Sequence, residues 1–492
     1  MSRVLLTHSY SLRFDPKEHR AMTPYPPLGT LYAASWLRQS GIPVSVHDVM
    51  FDQDESMFEQ SLCSQHPEIV VIYDDQFNYL TKMCLSRMRE AAFSMSRCAK
   101  AHGCTVVVFS SDATDHLAEY FDHMVDFVIL GEAEITLTEL ASHILSRHDG
   151  TADTIHGLAF KSGGEIRRTP PRRIFSTLDV LPFPAWDLAD LTPYRLAWKR
   201  SHGSFSLNMV TTRGCPYHCN WCAKPIYGQV YHSRSPENVV DEMLMLKQHV
   251  APEHIWFADD IFGLKPDWVR RFADLVTTRD AVIPFKCLSR VDLLLKEDTI
   301  LHLRRAGCRT VWVGAESGSQ KILDAMEKGT TVAQIYEASA LLHKHGISVG
   351  FFLQYGYPGE TFDDIAQTLR MVRECAPDEL GISVSYPLPG TRFYDSVRAE
   401  MEAKRNWVDS ADLDIMFRGT YPREFYRILH AYTHKKFRIW QATAALLRSL
   451  RRPAQINGAL LDRVARSLYH ALTLPALGMR LARYVGTEPF TF

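Results

Sequence analysis

The sequence lacks an excess of charge and any long apolar run. Its 55 lysines and arginines nearly balance its 56 aspartates and glutamates, which argues against a nucleic acid as the main partner. No stretch approaches the roughly 18 apolar residues of a membrane-spanning helix, and the N-terminal apolar run is shorter than the core of a signal peptide. We therefore expect a cytoplasmic protein with a sizeable hydrophobic core.

Cysteine is also scarce, since ten in a chain of 492 residues are too few for a secreted disulfide scaffold. Three of them lie close together in TTRGCPYHCNWCAKP, at Cys215, Cys219 and Cys222. The other seven are isolated along the chain: Cys63, Cys84, Cys98, Cys104, Cys287, Cys308 and Cys375. We interpret the isolated cysteines as mostly buried, small hydrophobic residues.

The C-x3-C-x2-C spacing predicts an iron–sulfur cluster with one open iron. Three thiolates in one loop can each hold one iron of a cubane, and tight turns at Gly214 and Pro216 would bring the sulfurs together. A structural zinc site needs four protein ligands, usually as two separated pairs, and the sequence has no second C-x2-C. His218 or His232 could complete a zinc site, and a purely structural loop is a further alternative.

Residues 1–148 are predicted to form a doubly wound, Rossmann-like domain. Apolar runs such as IVVIYDD and TVVVFSSD alternate with helical patterns, and strands buried on both faces indicate a parallel sheet. Ligands bind outside the carboxyl ends of such strands. Candidate contacts there, each of which could also be a helix cap or turn residue, are Tyr73, Asp74, Ser110, Ser111, Gly131 and Glu132.

The rest of the chain divides into three predicted parts. Prolines and a lack of periodicity indicate a linker at residues 149–200. Residues 201–400 show six repeats of strand and helix, which predict a partial parallel (β/α)6 barrel with its chemistry at the C-terminal strand ends. Residues 401–492 are predicted to be helical. Their many basic residues and interleaved leucines fit either a solvated face or an amphipathic surface that touches a membrane.

RGCPYHCNWC, with Trp221 before the third cysteine, resembles the cluster loop of the radical S-adenosylmethionine (SAM) superfamily. The resemblance implies a [4Fe–4S] cluster whose open iron is chelated by SAM, and reductive cleavage of SAM to a 5′-deoxyadenosyl radical. It also implies that Asp259 and Asp260 lie where the methionyl amine is held, although the usual GGE-like stretch is absent. We expect a cytoplasmic electron donor such as flavodoxin or ferredoxin.

Two further strand ends match the same family. Arg290 ends the third predicted barrel strand, where a guanidinium would grip the SAM carboxylate through paired hydrogen bonds. Glu316 ends the fourth, where a carboxylate would accept hydrogen bonds from the ribose or the amine. Structural alternatives are an Arg290–Asp292 ion pair and a Glu316 that caps the following helix.

The N-terminal part resembles the cobalamin-binding domain of the B12-dependent branch of this superfamily, on the segments PPLGTLYAASWLRQSGIPVSVHDVM and VDFVILGEAEITLTEL. The six candidate contacts named above would then touch cobalamin. The D-x-H-x-x-G loop that supplies a histidine to cobalt in B12 mutases is missing, since His47 lacks the required neighbours. We therefore expect the lower face of the cobalt to meet something other than that histidine.

These resemblances predict a cobalamin-dependent radical SAM enzyme that functionalises an unactivated carbon, with C-methyl transfer through methylcobalamin as the expected reaction. The alternative is a cyclase or ring-rearranging enzyme similar to the anaerobic magnesium-protoporphyrin IX monomethyl ester cyclase. A sensor without turnover is a hypothesis of another class, and a tRNA-modifying enzyme would normally carry a second cysteine cluster or a basic appendage. Expected partners are a small-molecule or lipid-like substrate and a peripheral contact with the inner membrane face.

Overall fold

The computed structural model describes residues 3–74, 85–146, 152–224, 226–450 and 458–485. Its N-terminal sheet has seven strands in the order β2-β1-β3-β4-β5-β6-β7. The strands are β1 Val4–Thr7, β2 Val44–Val46, β3 Ile69–Tyr73, β4 Thr105–Phe109, β5 Phe127–Ile129, β6 Leu158–Ser162 and β7 Glu165–Arg168. Cys84, one of the isolated cysteines, lies outside the described residues.

Strands β1 to β5 are parallel, and helices cover both faces of the sheet. The helices are α1 Pro16–Ala21, α2 Leu28–Gln39, α3 Ser56–Gln65, α4 Ser86–Ala101, α5 Ser111–Asp115, α6 Leu117–Asp122 and α7 Glu134–Leu145. One core packs α2 and α7 against the sheet, and a second core packs α3 and α4 against its other face. Every residue of β1 and β3 is buried, which is why both strands consist of valine, leucine and isoleucine up to their last residues, Thr7 and Tyr73. The predicted doubly wound fold is confirmed.

The segment predicted as a linker, residues 149–200, is not extended throughout. Strands β6 and β7 form an antiparallel hairpin that adds to the edge of β5, and Thr192–His202 forms helix α8. Leu158 and Ala159 are fully buried where the hairpin joins the sheet. The Gly163–Gly164 pair between two short runs is a hairpin signal, and it marks the turn that the linker interpretation overlooked.

The second sheet has six parallel strands in the order β15-β14-β13-β12-β11-β8, as predicted for a partial barrel. The strands are β8 Ser206–Met209, β11 His254–Phe257, β12 Phe285–Ser289, β13 Cys308–Glu316, β14 Ser348–Tyr355 and β15 Glu379–Val384. The helices around it are α9 Pro236–His249, α10 Pro266–Thr278, α11 Val291–Leu294, α12 Thr299–Ala306, α13 Gln320–Ala325, α14 Val332–Lys344, α15 Phe362–Cys375 and α16 Arg392–Val397. A short antiparallel pair, β9 Thr212–Arg213 and β10 His232–Ser233, encloses the cysteine segment.

The C-terminal part is helical, as predicted. Helices α17 Arg423–Leu450 and α18 Gly458–Val485 pack along each other. Helix α17 also packs against α15 and β15 of the barrel. Within the described ranges, no helix combines the length and the apolarity needed to cross a bilayer.

Candidate active site

The cysteine segment leaves the carboxyl end of the first barrel strand and is closed into a compact loop. Gly214 turns with φ +79°, and a Cβ at this position would overlap the carbonyl oxygen of Val230, so only glycine fits. Lys224 Nζ donates to the carbonyl oxygens of Cys215, at 3.0 Å, and of Tyr217. The lysine thereby fixes the backbone around the first cysteine.

All three cysteines of this segment are free thiols. Among the described residues, the three sulfurs do not all lie within 4.8 Å of one another. Around one tetrahedral zinc ion, with Zn–S bonds of about 2.3 Å, the sulfurs would be closer together. Thiolates that bind three separate irons of one cubane lie farther apart than this, so the spacing is compatible with the predicted cluster.

Asn220, between the second and third cysteines, ties the loop to the barrel. Its backbone N–H donates to the carbonyl of Met326 at 3.1 Å, and its Nδ2 donates to the carbonyl of Ala325 at 2.7 Å. Tyr357 OH donates to Asn220 Oδ1 at 3.0 Å. These contacts fix the cysteine loop against the end of α13 and against the loop after β14.

Arg290 lies at the end of β12 and faces the cysteine loop. Its guanidinium stacks 3.6 Å from the ring centre of Tyr217, and Nη1 lies 4.0 Å from Cys219 Sγ. Its Nε donates to Asp292 at 2.9 Å. The predicted Asp292 pair is therefore present, and it holds the buried guanidinium in position beside the second cysteine rather than turning it away.

Glu316 ends β13 in a left-handed conformation, with φ +57°, at an irregularity in the pairing with β14. Its buried carboxylate accepts a hydrogen bond from Lys328 Nζ at 2.7 Å, and it does not cap the following helix, which begins after Ser319. Burial lowers the pKa of the Lys328 ammonium, whereas the negative charges of Glu316 and then Cys219 raise it. The net result is a pKa above the usual value for lysine. A charged lysine therefore lies beside the cysteine loop.

The two aspartates after β11 differ in their surroundings. Asp259 is buried and accepts hydrogen bonds from the backbone N–H of Thr211, at 2.7 Å, and of Thr212, at 2.9 Å. Burial raises the pKa of Asp259 to about 6. Asp260 is exposed. Burial of Cys222 raises the pKa of its thiol to about 12, and the negative charge of Asp260 is the second cause of this rise. Asp259 therefore supports the backbone that leads to the cysteines, whereas Asp260 faces the thiols.

Two of the residues predicted to contact a ligand at the N-terminal sheet have structural partners. Ser110 Oγ accepts a hydrogen bond from Ala113 N at 2.9 Å, so this serine caps α5. Asp74 Oδ1 accepts from both the backbone N–H and the hydroxyl of Ser9, each at 2.8 Å. These contacts match the helix-cap and turn alternatives, and they lie at the carboxyl edge of the sheet.

The other predicted contacts lie at the same edge. Tyr73 is buried, with its ring centre 4.4 Å from that of Phe109. Ser111 is buried in the first turn of α5. Gly131 is half-buried and turns with φ +77° after β5.

Glu132 connects the N-terminal sheet to the cysteine segment. Its carboxylate binds Arg213, two positions before Cys215, and Arg213 also binds Glu134 at 2.5 Å. The side chains of all three residues are at most 5% exposed. Burial opposes the charge of Arg213, yet Glu134 and Glu132 raise the pKa of the guanidinium well above its usual range. This buried triad fixes the loop after β5 to the strand that leads to the cysteines.

The structure brings Trp221, Asp260, Arg290 and Glu316 to the mouth of the barrel with the three cysteines. Four supporting residues were not predicted: Arg213, Asn220, Lys224 and Lys328. Asn220 and Lys224 stand inside the cysteine segment, where loop position alone could have suggested them. Lys328 stands in a connection between α13 and α14, and no local pattern points to it.

The structure thus has a parallel half-barrel with three free thiols in the loop after its first strand, at the barrel mouth. Residues 209–372 match the profile of the radical SAM superfamily. This part of the chain is a radical SAM domain, as the cysteine segment predicted.

Known proteins with similar sequences include methyltransferases and a cyclase. An uncharacterised methyltransferase of Pyrococcus horikoshii is 27% identical over 396 residues, which cover 79% of this chain and 82% of that protein. The anaerobic magnesium-protoporphyrin IX monomethyl ester cyclase of Synechocystis is 24% identical over 375 residues, which cover 75% and 72%.

Two solved structures share the fold of this chain. The radical SAM methyltransferase TsrM of Kitasatospora setae, with cobalamin and a [4Fe–4S] cluster bound, has a TM-score of 0.67 at 20% identity, over 81% of this chain and 78% of that one. OxsB, a cobalamin-dependent radical enzyme with aqua-cobalamin and SAM bound, has a TM-score of 0.68 at 16% identity, over 98% and 75%. The cofactors predicted here are those present in these two structures.

Proposed function

We propose that this chain is a cobalamin-dependent radical SAM enzyme that transfers a methyl group to an unactivated carbon of a small-molecule or lipid-like substrate. The observation that carries the proposal is the buried contact of Glu132 and Glu134 with Arg213. It joins the carboxyl edge of the doubly wound sheet, where such sheets bind cofactors, to the strand that leads to the three cysteines. The two proposed cofactor sites would thereby lie next to each other.

The residues at the barrel mouth fit a cluster and SAM. Cys215, Cys219 and Cys222 would hold three irons and leave the fourth to SAM, and the bound pair supplies reductive cleavage of the SAM sulfonium bond. Arg290 would bind the SAM carboxylate. Among the described residues, the buried Nε1 of Trp221 has no hydrogen-bond partner. A buried polar atom without a partner is costly, and a ligand at the mouth would satisfy it.

The carboxyl edge of the N-terminal sheet fits a large polar cofactor such as cobalamin, which when bound supplies the methyl carrier. In the part of the chain that the structure describes, Thr7 Oγ1 and Ser11 Oγ are buried near the end of β1 without hydrogen-bond partners. His47 is engaged at both ring nitrogens, by Asp52 at 2.9 Å and by Ser61 at 2.7 Å. The cobalt would therefore not take its lower ligand from this histidine.

The alternative is a radical cyclase that uses the same cofactors without methyl transfer, and similarity to the Synechocystis cyclase favours it. In either reaction the cluster needs one electron per cleavage, and we propose flavodoxin or ferredoxin as its donor. Product analysis separates the two reactions because methyl transfer consumes a second SAM.

Anaerobic turnover tests the function directly. The full-length chain would be reconstituted with iron, sulfide and hydroxocobalamin, and then supplied with SAM, dithionite and candidate substrates. We expect bound cobalamin, 5′-deoxyadenosine and S-adenosylhomocysteine, each measured by chromatography. Formation of 5′-deoxyadenosine alone with an accepted substrate would establish the cyclase-type reaction, and a chain that binds no cobalamin would contradict both.

Helix α18 carries an exposed stripe of apolar side chains. Its members recur at intervals of three or four residues, so they share one helix face: Leu461, Ala465, Leu468, Leu472, Ala476 and Met479. Leu472 is 82% exposed and Leu468 is 61% exposed. Four arginines and one acid lie on the same helix, and this combination is typical of helices that lie in an anionic membrane surface. We infer that α18 contacts the membrane peripherally.

We expect L468E/L472E to abolish co-sedimentation of the full-length chain with vesicles of anionic phospholipid, because two charges would enter the apolar stripe. A matched control is L301E, which changes a leucine that is 42% exposed on α12, away from the stripe. Equal vesicle binding by all three proteins would refute the contact. Loss of self-association rather than vesicle binding, measured by light scattering, would assign the stripe to a second copy of the chain.

A further inference from the structure

A second group of metal-binding side chains lies on the outer face of the N-terminal sheet, where α3 packs against α4. Glu59 and Cys63 are one helical turn apart on α3, and Cys98 and His102 are one turn apart at the end of α4. Residues four positions apart project from the same face of a helix. Two packed helices therefore each contribute an oxygen or nitrogen donor and a sulfur donor.

Three of these side chains already converge. One ligand atom from each of Glu59, Cys98 and His102 lies within 4.8 Å of the other two. His102 Nε2 lies 3.6 Å from Glu59 Oε1, which is longer than a good hydrogen bond but close to the separation of two ligands on one tetrahedral ion. Cys63 is not among these three mutually close groups, but it lies one helical turn after Glu59 on α3. Burial of Cys98 raises the pKa of its thiol, as do the negative charges of Glu59 and then Cys63.

The exposure of these cysteines departs from the expectation for isolated cysteines. The other described members of that set are buried, as predicted: Cys104, Cys287, Cys308 and Cys375. Cys63 is exposed and Cys98 is half-buried. A role in core packing therefore accounts for the four buried cysteines. It does not account for Cys63 and Cys98, which lie near Glu59 and His102.

We propose that Glu59, Cys98 and His102 bind a zinc ion, with Cys63 as the fourth ligand. A mixed set of nitrogen, oxygen and sulfur donors suits zinc, whereas magnesium and calcium require oxygen ligands. Binding would release the thiol protons of Cys63 and Cys98 to solvent, since thiolates are the ligands. The ion would offset two of the three negative charges on the carboxylate and the two thiolates, and it would link α3 to α4.

The site is separate from the cysteine segment of the barrel, so the two can be tested independently. Zinc content would be measured by mass spectrometry after dialysis, in the cluster-loaded full-length chain and in a C215A/C219A/C222A chain. We expect one zinc in each. Absence of zinc from both chains after incubation with zinc would overturn the proposal.

Ligand variants provide the sharper test. In the C215A/C219A/C222A background, C98S and H102A should each weaken zinc binding, measured by competition with a chelator, by at least about 100-fold, because loss of an outer partner of a ligand alone costs 10–100-fold. H123A is the matched control, since His123 lies in the same domain and stacks on Phe93. Unchanged affinity in C98S or H102A would refute the site.

Cobalt substitution tests the fourth ligand. Cobalt(II) bound to the same chain should show thiolate charge-transfer absorption, and C63S should reduce its intensity while C104S leaves it unchanged. An unaltered cobalt spectrum in C63S would exclude Cys63 as a ligand. A disulfide between Cys63 and Cys98 in the anaerobically purified chain, detected by thiol labelling, would overturn the zinc assignment because the sulfurs could then not bind the ion as thiolates.

Discussion

Replacement of Cys219 by alanine will abolish the visible absorption and the EPR signal of the cluster, and with them the formation of 5′-deoxyadenosine. Each of the three thiolates would hold one iron, and in the described part of the chain this loop has no fourth cysteine that could replace Cys219. Cys219 Sγ also lies 4.0 Å from Nη1 of the Arg290 guanidinium. We therefore expect the complete loss of activity rather than a reduced rate.

C308A is the matched control for this prediction. Cys308 is a fully buried thiol at the start of β13 in the same barrel, so its removal leaves a small cavity and costs stability without touching the cluster loop. Circular dichroism should show that both variants are folded. Normal cluster spectra in C219A would contradict the assignment of the loop, and loss of the cluster in C308A as well would point to a general folding defect.

The parallel strands were predictable because their burial requires short runs of mostly apolar residues, which are visible in the sequence. The residues of β1 and β3 are buried on both faces, and a short strand in that environment must be mostly apolar. The hairpin of β6 and β7 was missed because β7 is exposed at the edge of the sheet. Because an exposed edge strand does not bury its side chains, its sequence shows no apolar pattern. The prolines of residues 149–200 therefore led to the prediction of a linker.

The cysteine loop could be identified from the sequence because its three candidate ligands are close together in the chain, whereas the residues that support the loop are not. Arg213 and Glu132 are 81 positions apart, and Asn220 and Tyr357 are 137 positions apart. Contacts of this kind depend on how the two sheets are placed against each other, and no local period or spacing encodes that placement. Glu132 illustrates the difference, since the sequence placed it after β5 at the edge of the sheet, whereas its arginine partner was not foreseen.

The R213M variant should lose about 3–5 kcal/mol of stability, which is the typical cost of removing one partner from a buried ion pair. Glu132 and Glu134 would remain at most 4% exposed beside each other without a counter-charge. The free energy of unfolding, measured with urea, reports this loss. R305M is the control, because the Arg305–Asp274 pair is exposed and should cost at most about 1 kcal/mol.

The loss in R213M should also depend on pH. Burial already raises the pKa of Glu132, and Arg213 is the leading influence that lowers it. Without the arginine, the folded-state pKa rises further above the unfolded value of about 4.3, so the folded protein binds more protons than the unfolded chain. The contribution of Glu132 to the stability of R213M is then most favourable at low pH, and it is lost as pH rises through the folded-state pKa. We expect a larger penalty at about pH 8 than at about pH 5.5.

A triple variant, R213M/E132Q/E134Q, separates charge from shape. It removes the two uncompensated carboxylates together with the guanidinium, so most of the lost stability should return and the added pH dependence should disappear. If the triad also positions the cysteine loop relative to the N-terminal sheet, the triple variant will fold and bind the cluster but transfer the methyl group poorly while still cleaving SAM. Full methyl transfer by this variant would restrict the triad to a structural role.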